Sequence, residues 1–189
     1  MNTIVSPRPA PAEAPDDAAL VERARAGDRP ALDVLLTRHL DAVYDLAFRL
    51  LGDRDLAQDA AQDAFVNAVR GLQRFRGEAS FRTWLLRIAA NAARSHARRR
   101  GRRREVGISA LWDRPGDAPD PAERAAMRSE AERVERAIAA LPEKQRLAVT
   151  LRLYQGLDYA AVATIIGSTE GAARVNYHHG IKRLREMLQ

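Results

Sequence analysis

The stretch FRGEASFRTWLLRIAANAARSHARRRGRRR, residues 75–104, decides the fold. A short loop that contains Gly77 leads into a helix, and Ser80 stands where a side chain that caps a helix N-terminus is expected. Apolar residues then recur every three or four positions, which predicts one buried face of an α-helix. These residues are Phe81, Leu85, Ile88, Ala89 and Ala92. The stretch therefore predicts a long amphipathic helix that packs on a helical core.

The opposite face of this helix is basic and ends in a run of arginines. It carries Arg82, Arg87, Asn91, Arg94 and Arg98, followed by Arg99, Arg100, Arg102, Arg103 and Arg104. Arginines neutralise phosphates, an amide can hydrogen-bond to a base edge, and aromatic rings can stack on bases. This combination indicates a nucleic-acid-binding helix. Trp84 is interpreted either as part of the core or as a stacking platform for a base.

The composition of the chain suits a negatively charged partner. Among 189 residues, lysine and arginine number 31 and aspartate and glutamate 25, so the net charge is +6. Cysteine is absent, which excludes disulfides and cysteine-ligated zinc. No apolar run reaches the roughly 20 residues of a membrane span, and the N-terminus lacks the features of a signal peptide. The chain is therefore expected to be cytoplasmic.

The remaining pattern predicts an all-α fold in two small helical domains joined by a flexible linker. Residues 1–16, rich in proline and alanine, are expected to form a disordered tail. Before the basic helix, we expect a short helix capped by Asp16 or Asp17, one from Asp28 to Gly52, and one from Asp53 or Asp55 to about Gly71. Residues 105–130 are predicted to be the linker, although helix is expected to return at Pro121 or Ala122.

The last third of the chain has the spacing of a helix-turn-helix. Ala163 and Gly167 supply the small residue and the tight turn between helices over residues 158–166 and 169–188. The last helix is expected to bury Ala173, Tyr177, Ile181, Leu184 and Leu188. Its exposed side would then carry Arg174, Val175, His178, His179 and Lys182, with Arg183 and Arg185 on phosphates. The alternative is an ordinary helical pair with a solvated basic face.

An acidic cluster lies on one side of the third helix. It consists of Asp55, Asp59, Gln62 and Asp63, whose spacing places them on a common face. Carboxylates repel phosphates, so this face suits a basic partner protein and not DNA. A Mg²⁺ site is an alternative. From the residues alone, a solvated surface is the favoured interpretation.

The sequence shows no pattern that predicts catalysis. It has no Ser-His-Asp order, no phosphate-cradling glycine loop and no cysteine nucleophile. The neighbouring His178 and His179 point about 100° apart on a helix, which makes them a poor metal site. We therefore expect neither an enzyme nor a protein that holds a metal or a cofactor.

Four motifs in this order resemble the bacterial RNA polymerase sigma factors of the extracytoplasmic-function (ECF) class. They are RDLAQDAAQDAFVNAVRGLQRFRG (54–77), FRTWLLRIAANAARSHARRR (81–100), LPEKQRLAVTLRLYQGLDYAAVATIIG (141–167) and STEGAARVNYHHGIKRLR (168–185). The resemblance covers residues 17–188. It implies a domain at 17–104 that matches the family's region 2 and one at 131–189 that matches region 4.

The resemblance also implies roles for particular residues in region 2. The set Asp55, Asp59, Gln62, Asp63 and Phe65 would dock on the clamp coiled coil of the largest polymerase subunit. The set Arg76, Ser80, Trp84, Arg87, Ile88, Asn91, Arg94 and Arg98 would open and bind the −10 promoter element. Asp63 stands where the family usually has Glu.

In region 4, the resemblance assigns the −35 promoter element to the last helix. The set is Arg174, Val175, His178, His179, Lys182 and Arg183. The family usually opens this helix with Gly-Thr-Val, whereas this chain has Gly171, Ala172 and Ala173. A Ser and two Arg usually follow, where this chain has Val175, Asn176 and His179. These exchanges change the available hydrogen bonds, so they bear on the −35 sequence preference.

The implied function is that of a promoter-specificity subunit. It would bind core RNA polymerase and promoter DNA, both duplex and single-stranded, and would be held by an anti-sigma factor. Bound to polymerase, it would associate with the nucleoid. Two other hypotheses are a stand-alone helix-turn-helix repressor, which would share only the C-terminal helices, and a Mg²⁺-dependent nuclease built on the acidic cluster.

Overall fold

The computed structural model describes residues 15–105 and 123–189. These residues form α-helices and one 3₁₀ turn (Leu72–Arg74), with no strand in either range, which confirms the predicted all-α fold. The helices are α1 (Asp17–Arg25), α2 (Arg29–Arg38), α3 (Leu40–Leu51), α4 (Arg54–Gly71), α5 (Phe81–Glu105), α6 (Glu123–Ala139), α7 (Glu143–Leu153), α8 (Tyr159–Ile166) and α9 (Glu170–Leu188).

Most helix starts lie where capping side chains predict them. The Asp16 carboxylate accepts the Ala19 N–H at 2.7 Å, and Asp53 accepts the Leu56 N–H at 3.0 Å. The Thr83 N–H donates to Ser80 Oγ at 3.1 Å, which confirms Ser80 as the residue before α5. Such caps satisfy amide groups that the first helical turn leaves unpaired.

The prediction of one helix from Asp28 to Gly52 is wrong, because the chain breaks at His39. The His39 N–H bonds to the Leu36 carbonyl at 3.1 Å, a three-residue step that ends α2. The buried imidazole then places Nε2 2.6 Å from Asp17 Oδ2, and its ring lies 5.6 Å from the Phe81 ring. This contact with α1 and α5 compensates for the interrupted helix, and a periodicity of apolar residues cannot reveal it.

In the N-terminal group, α3, α4 and α5 pack around a core of small and branched residues. The buried side of α4 consists almost wholly of alanine: Ala57, Ala60, Ala61, Ala64 and Ala68. Small side chains let helices approach closely, and Leu46, Leu85 and Leu86 fill the space between them. The buried stripe predicted for α5 is present at Phe81, Leu85, Ala89 and Ala92, while Ile88 is half-buried.

In the C-terminal group, α7, α8 and α9 form the predicted helix-turn-helix with its supporting helix. Gly167 ends α8 with a φ of +73° and donates its N–H to the Ala163 carbonyl at 2.9 Å. A residue with a side chain rarely adopts this φ, which explains the glycine. In α9, Ala173 and Leu184 are buried and Tyr177, Ile181 and Leu188 are half-buried, so the predicted stripe faces the core.

One cluster of buried apolar side chains runs from the N-terminal group into the C-terminal one. It includes Leu46 and Leu85 on one side and Leu151, Val162 and Ile165 on the other. A second, smaller cluster joins α6, α7 and α9. The predicted tail lies outside the described residues up to position 14, and the predicted linker lies outside them from 106 to 122. Helix resumes at Glu123, within the predicted linker and close to the expected return at Pro121 or Ala122.

Candidate nucleic-acid interface

The loop before α5 and the start of that helix form an aromatic corner. The Trp84 ring lies 5.1 Å from the Phe75 ring and 5.6 Å from the Phe81 ring, at tilted angles. A Cβ at Gly71 would lie only 3.2 Å from Trp84 Cζ2, so the indole ring packs closely against α4. Trp84 is half-buried in this corner. Part of its indole ring therefore packs against the core, and another part is open to solvent.

The open side of Trp84 faces a groove of about 430 Å³. Its lining consists of Arg74, Phe75, Arg76, Gly77, Glu78, Ala79, Trp84, Arg87 and Thr164. Arg76 and Arg87 are exposed and basic, and the indole ring lies between loop and helix. An aromatic ring beside two guanidinium groups can hold a base together with its phosphates.

The remaining residues predicted for the −10 element lie along α5. Ser80, Asn91 and Arg98 are exposed, and Ile88 packs partly against the core. Arg94 is half-buried and already has partners. Its guanidinium donates to Asn91 Oδ1 at 3.0 Å and to Glu143 Oε1 of α7 at 2.7 Å. The sequence did not predict a contact between this face and α7.

The exposed side of α9 carries every residue predicted for it. Arg174, Val175, His178, His179, Lys182 and Arg183 are all exposed. Arg174 donates to Glu170 Oε1 at 3.2 Å, and its guanidinium carbon lies 4.9 Å from the centre of the Tyr159 ring. Asn176 turns back and donates to the Ala172 carbonyl at 2.7 Å. The helix therefore presents arginine, histidine and lysine side chains to solvent on one side.

Tyr159 is a residue that the sequence analysis missed. It is the first residue of α8, and the centre of its ring lies 4.5 Å from the guanidinium carbon of Arg152 and 4.9 Å from that of Arg174. The ring meets the Tyr177 ring edge-on at 5.9 Å. A tyrosine three residues after a glycine carries no signal of its own. Only the packing of α8 against α9 brings the Tyr159 ring next to the Arg174 guanidinium.

The acidic cluster of α4 lies on one exposed face. Asp55, Asp59, Gln62 and Asp63 are exposed, whereas Phe65 packs partly against the core. Two exposed apolar side chains, Val66 and Val69, continue the helix beyond the carboxylates. Asp63 Oδ2 lies 2.8 Å from Nε2 of His96 on α5, a contact that the sequence did not indicate. A face of carboxylates with apolar neighbours is suited to a protein partner of positive charge.

The described residues also bear on a metal site and on a membrane span. No group of three or more histidine, aspartate or glutamate side chains in residues 15–105 and 123–189 could hold a metal ion. Over the same residues, no helix is both long and apolar enough to cross a bilayer.

Comparison with known families matches the chain in two blocks that contain these faces. Residues 35–103 match sigma-70 region 2, and residues 131–184 match sigma-70 region 4. The chain belongs to the sigma-70 family. In this sigma factor, α4 and most of α5 lie in region 2, while α7, α8 and most of α9 lie in region 4.

Similar proteins place this sigma factor in the ECF class. It is 38% identical over 181 residues to the RNA polymerase sigma-H factor of Pseudomonas aeruginosa, covering 92% of this chain and 94% of the relative. It is 35% identical over 192 residues to the ECF RNA polymerase sigma-E factor of Haemophilus influenzae, covering 94% and 96%. The protein is thus a promoter-specificity subunit that binds core RNA polymerase and promoter DNA. A stand-alone repressor would not contain region 2.

Solved structures of sigma factors share the fold. The sigma factor RpoE of Bartonella quintana, in complex with the anti-sigma factor NepR, aligns with a TM-score of 0.63 at 27% identity, over 81% of this chain and 93% of that one. CnrH in complex with the cytosolic domain of CnrY aligns with a TM-score of 0.70 at 24% identity, over 91% and 96%. The latter likeness concerns the fold alone.

Proposed function

We propose that α9 reads the −35 element through Arg174, Val175, His178 and His179, while Lys182 and Arg183 hold phosphates. The exposure of these six side chains on one side of the second helix of a helix-turn-helix carries the proposal. Such a helix enters the major groove with its N-terminal residues against base edges. Among these residues, Arg174 is nearest to that end, and its guanidinium contacts the Tyr159 ring. It is therefore the residue suited to a paired contact with guanine.

The −10 element would be opened and held by the groove before α5. An extruded base costs a few kcal/mol of lost stacking, so a preformed pocket is needed to capture it. The half-buried Trp84 ring offers a stacking surface, with Arg76 and Arg87 beside it for phosphates. Ser80, Ile88, Asn91, Arg94 and Arg98 would follow the strand along α5.

Core polymerase would dock on the acidic face of α4. Asp55, Asp59, Gln62 and Asp63 are exposed, so the clamp coiled coil can approach them. Phe65 would contribute mainly by its packing beneath that face. The −10 and polymerase contacts would belong to a domain at 17–104, and the −35 contacts to one at 131–189, joined by the linker.

Other properties follow from the same proposal. The protein would act in the cytoplasm, associated with the nucleoid when bound to polymerase, and would catalyse no reaction itself. An anti-sigma factor would hold it inactive by covering the polymerase- or DNA-binding faces, as a partner of the kind seen with RpoE of Bartonella quintana.

Polymerase capture tests the docking face. Asp59→Arg reverses one exposed charge, and Asp33→Arg makes the same change on the exposed side of α2. We expect Asp59→Arg to abolish capture of core polymerase while Asp33→Arg retains it, with equal helicity by circular dichroism. Asp63→Arg should behave like Asp59→Arg. Wild-type capture by both α4 variants would refute the docking face.

Transcription by a sigma-free polymerase tests the overall assignment. Added to core enzyme and a library of genomic fragments, the purified protein should select a defined set of start sites. Trp84→Ala should reduce open-complex formation on those promoters more than it reduces closed-complex binding, because the ring is proposed to act after strand separation begins. Equal loss in both steps would contradict the role of Trp84.

A further inference from the structure

The ring of Tyr159 lies next to Arg174, the residue assigned above to a base of the −35 element. The guanidinium carbon of Arg174 lies 4.9 Å from the centre of that ring. Tyr159 is the first residue of α8 and is half-buried, whereas Arg174 is exposed on α9. A side chain from the first helix of the helix-turn-helix therefore contacts a side chain that the second helix would present to DNA.

The Tyr159 ring is itself held by the two neighbouring helices. From α7, the guanidinium carbon of Arg152 lies 4.5 Å from the ring centre, and Nη1 of Arg152 donates to the Leu157 carbonyl. From α9, the Tyr177 ring meets the Tyr159 ring edge-on at 5.9 Å. Such pairs attract each other, because the positive edge of one ring faces the negative face of the other. The position of the Tyr159 ring is therefore determined by the packing of the helix-turn-helix.

Arg174 also pairs with Glu170, one turn earlier in α9. The distance from Arg174 Nη2 to Glu170 Oε1 is 3.2 Å, and the two side chains are 57% and 55% exposed. Ion pairs between exposed side chains are weak, because water and salt screen them and holding two long side chains costs entropy. This ion pair also uses a donor of the guanidinium. The face of a ring attracts the cation without using an N–H donor, so the ring can hold Arg174 and leave its donors for DNA.

A base contact depends on the orientation of an arginine more than a phosphate contact does. A bidentate contact with guanine O6 and N7 needs two N–H groups of the planar guanidinium aligned with the base edge. A phosphate contact carries no sequence information directly. A side chain that is already ordered also loses less rotamer freedom when it binds. Ordering by the Tyr159 ring would therefore favour the base contact of Arg174 in particular.

We propose that Tyr159 is a positioning residue for −35 recognition, whose ring holds the Arg174 guanidinium in the orientation that pairs with a base. The proposal rests on the function proposed for α9, in which Arg174 contacts a base edge in the major groove. Tyr159 acts through Arg174, so it affects discrimination at the same base pair. The determinants of the −35 sequence preference thus include a residue of α8 in addition to the exposed side of α9.

Binding of polymerase holoenzyme to −35 duplexes tests the proposal. The duplexes carry the −35 element of a promoter that the protein selects in transcription, with each base pair substituted in turn. Tyr159→Leu removes the ring and keeps an apolar side chain of good helix propensity. We expect it to reduce discrimination at the base pair read by Arg174 roughly twofold to fivefold, the factor that corresponds to an exposed cation–π contact. Discrimination at the other base pairs should not change.

Three comparisons distinguish positioning from a general effect on the fold. Tyr159→Phe keeps the ring, so it should retain wild-type discrimination. Tyr159→Leu added to Arg174→Ala should cause no further loss at that base pair, since the side chain to be positioned is absent. Tyr154→Leu removes a different tyrosine ring, whose centre lies 3.4 Å from the guanidinium carbon of Arg49 on α3. It should leave discrimination unchanged at every base pair.

Unfolding in denaturant shows whether each variant retains its structure. If Tyr159→Leu does not fold, Tyr159→Met is measured in its place, because methionine is apolar and adapts to irregular spaces. Failure of both variants to fold would mean that the helix-turn-helix itself needs the ring, and would overturn a role confined to Arg174.

The outcomes separate the role of Tyr159 from the function proposed for α9. If Arg174→Ala weakens binding equally on all duplexes, or on none, the proposed base contact is wrong and the role of Tyr159 is wrong with it. If Arg174→Ala acts at one base pair and Tyr159→Leu acts uniformly or not at all, only the role of Tyr159 is wrong. A loss of discrimination in Tyr159→Phe as large as that in Tyr159→Leu would also overturn it, because the ring is still present.

Discussion

Helices α5 and α9 carry similar basic side chains on their outer faces, but these side chains have different partners in the fold. On α5, Arg82 is bound to Gln155 and Arg94 to Glu143, both across the boundary between the two helical groups. On α9, the six residues proposed for the −35 element are exposed, and Arg174 contacts Glu170 and the Tyr159 ring, both within the helix-turn-helix. Two arginines of the basic side of α5 are therefore engaged by the protein itself, whereas the basic side of α9 is open to solvent.

The difference follows from how each helix is buried. Part of α5 also meets α7 and α8, so Arg82 and Arg94 lie at an internal boundary where polar groups need partners. The other polar residues of this helix, among them Arg87 and Asn91, stay exposed. α9 is held by α6, α7 and α8, and the side chains proposed for the −35 element lie on its exposed side. The polar side chains on the outer side of α9 are therefore open to solvent, whereas Arg82 and Arg94 of α5 are already paired within the protein.

The largest change in stability is expected at Gly180, on the side of α9 that packs against α7. A Cβ at Gly180 would lie 2.6 Å from Val149 Cγ2 and 3.3 Å from the Gln145 carbonyl oxygen, so α7 and α9 would have to move apart. Gly180→Ala should lower the free energy of unfolding by about 1–3 kcal/mol, as overpacking does. Gly171→Ala, in the same helix with nothing within 4 Å of its Cβ, should not destabilise. Equal unfolding midpoints in denaturant for both variants would contradict the close packing.

On the outer side of α9, changes should alter recognition without altering stability. Arg174→Ala should cost roughly 1–3 kcal/mol of discrimination at one base pair of the −35 element, because a base contact is lost. Binding to a panel of singly substituted −35 duplexes by polymerase holoenzyme measures this. A uniform loss over the panel would place Arg174 on a phosphate instead.

Arg183→Ala is the matched comparison for Arg174→Ala. Its side chain is exposed nearer the C-terminal end of α9, where a phosphate contact is expected. Binding should weaken about equally on all members of the panel, and the slope of log affinity against log salt should flatten by about one. A change confined to one base pair would reverse the roles assigned to these two arginines.

The smallest change in stability is expected for a substitution next to the aromatic corner of α5. Gly71→Ala would bring a methyl group to 3.2 Å from Trp84 Cζ2, so the ring must give by a few tenths of an ångström. The gain in helix propensity, about 1 kcal/mol, should offset the strain, leaving the free energy of unfolding nearly unchanged. The Trp84 emission, recorded with Trp112→Phe as background, should shift. An unchanged spectrum would indicate that the ring does not contact α4 here.

Local signals in the sequence accounted for most of the helices and for the outer face of α9. Caps such as Asp53 and Ser80 act over three residues, and an apolar stripe acts within one helix, so both can be read along the chain. The break at His39 escaped this reasoning, since it depends on an imidazole meeting Asp17 from another helix. For the same reason, the contacts of His96 with Asp63 and of Tyr159 with Arg174 were missed.

From the amino-acid order alone came the all-α fold, the helix-turn-helix and the family, because each depends on spacings within short stretches or on motifs read in sequence. The tertiary structure alone decided which polar groups are already paired. Arg82 and Gln155 are 73 residues apart, and Arg94 and Glu143 are 49 apart. No periodicity spans such separations, and only the packing of α7 and α8 on α5 brings these donors and acceptors within hydrogen-bonding distance.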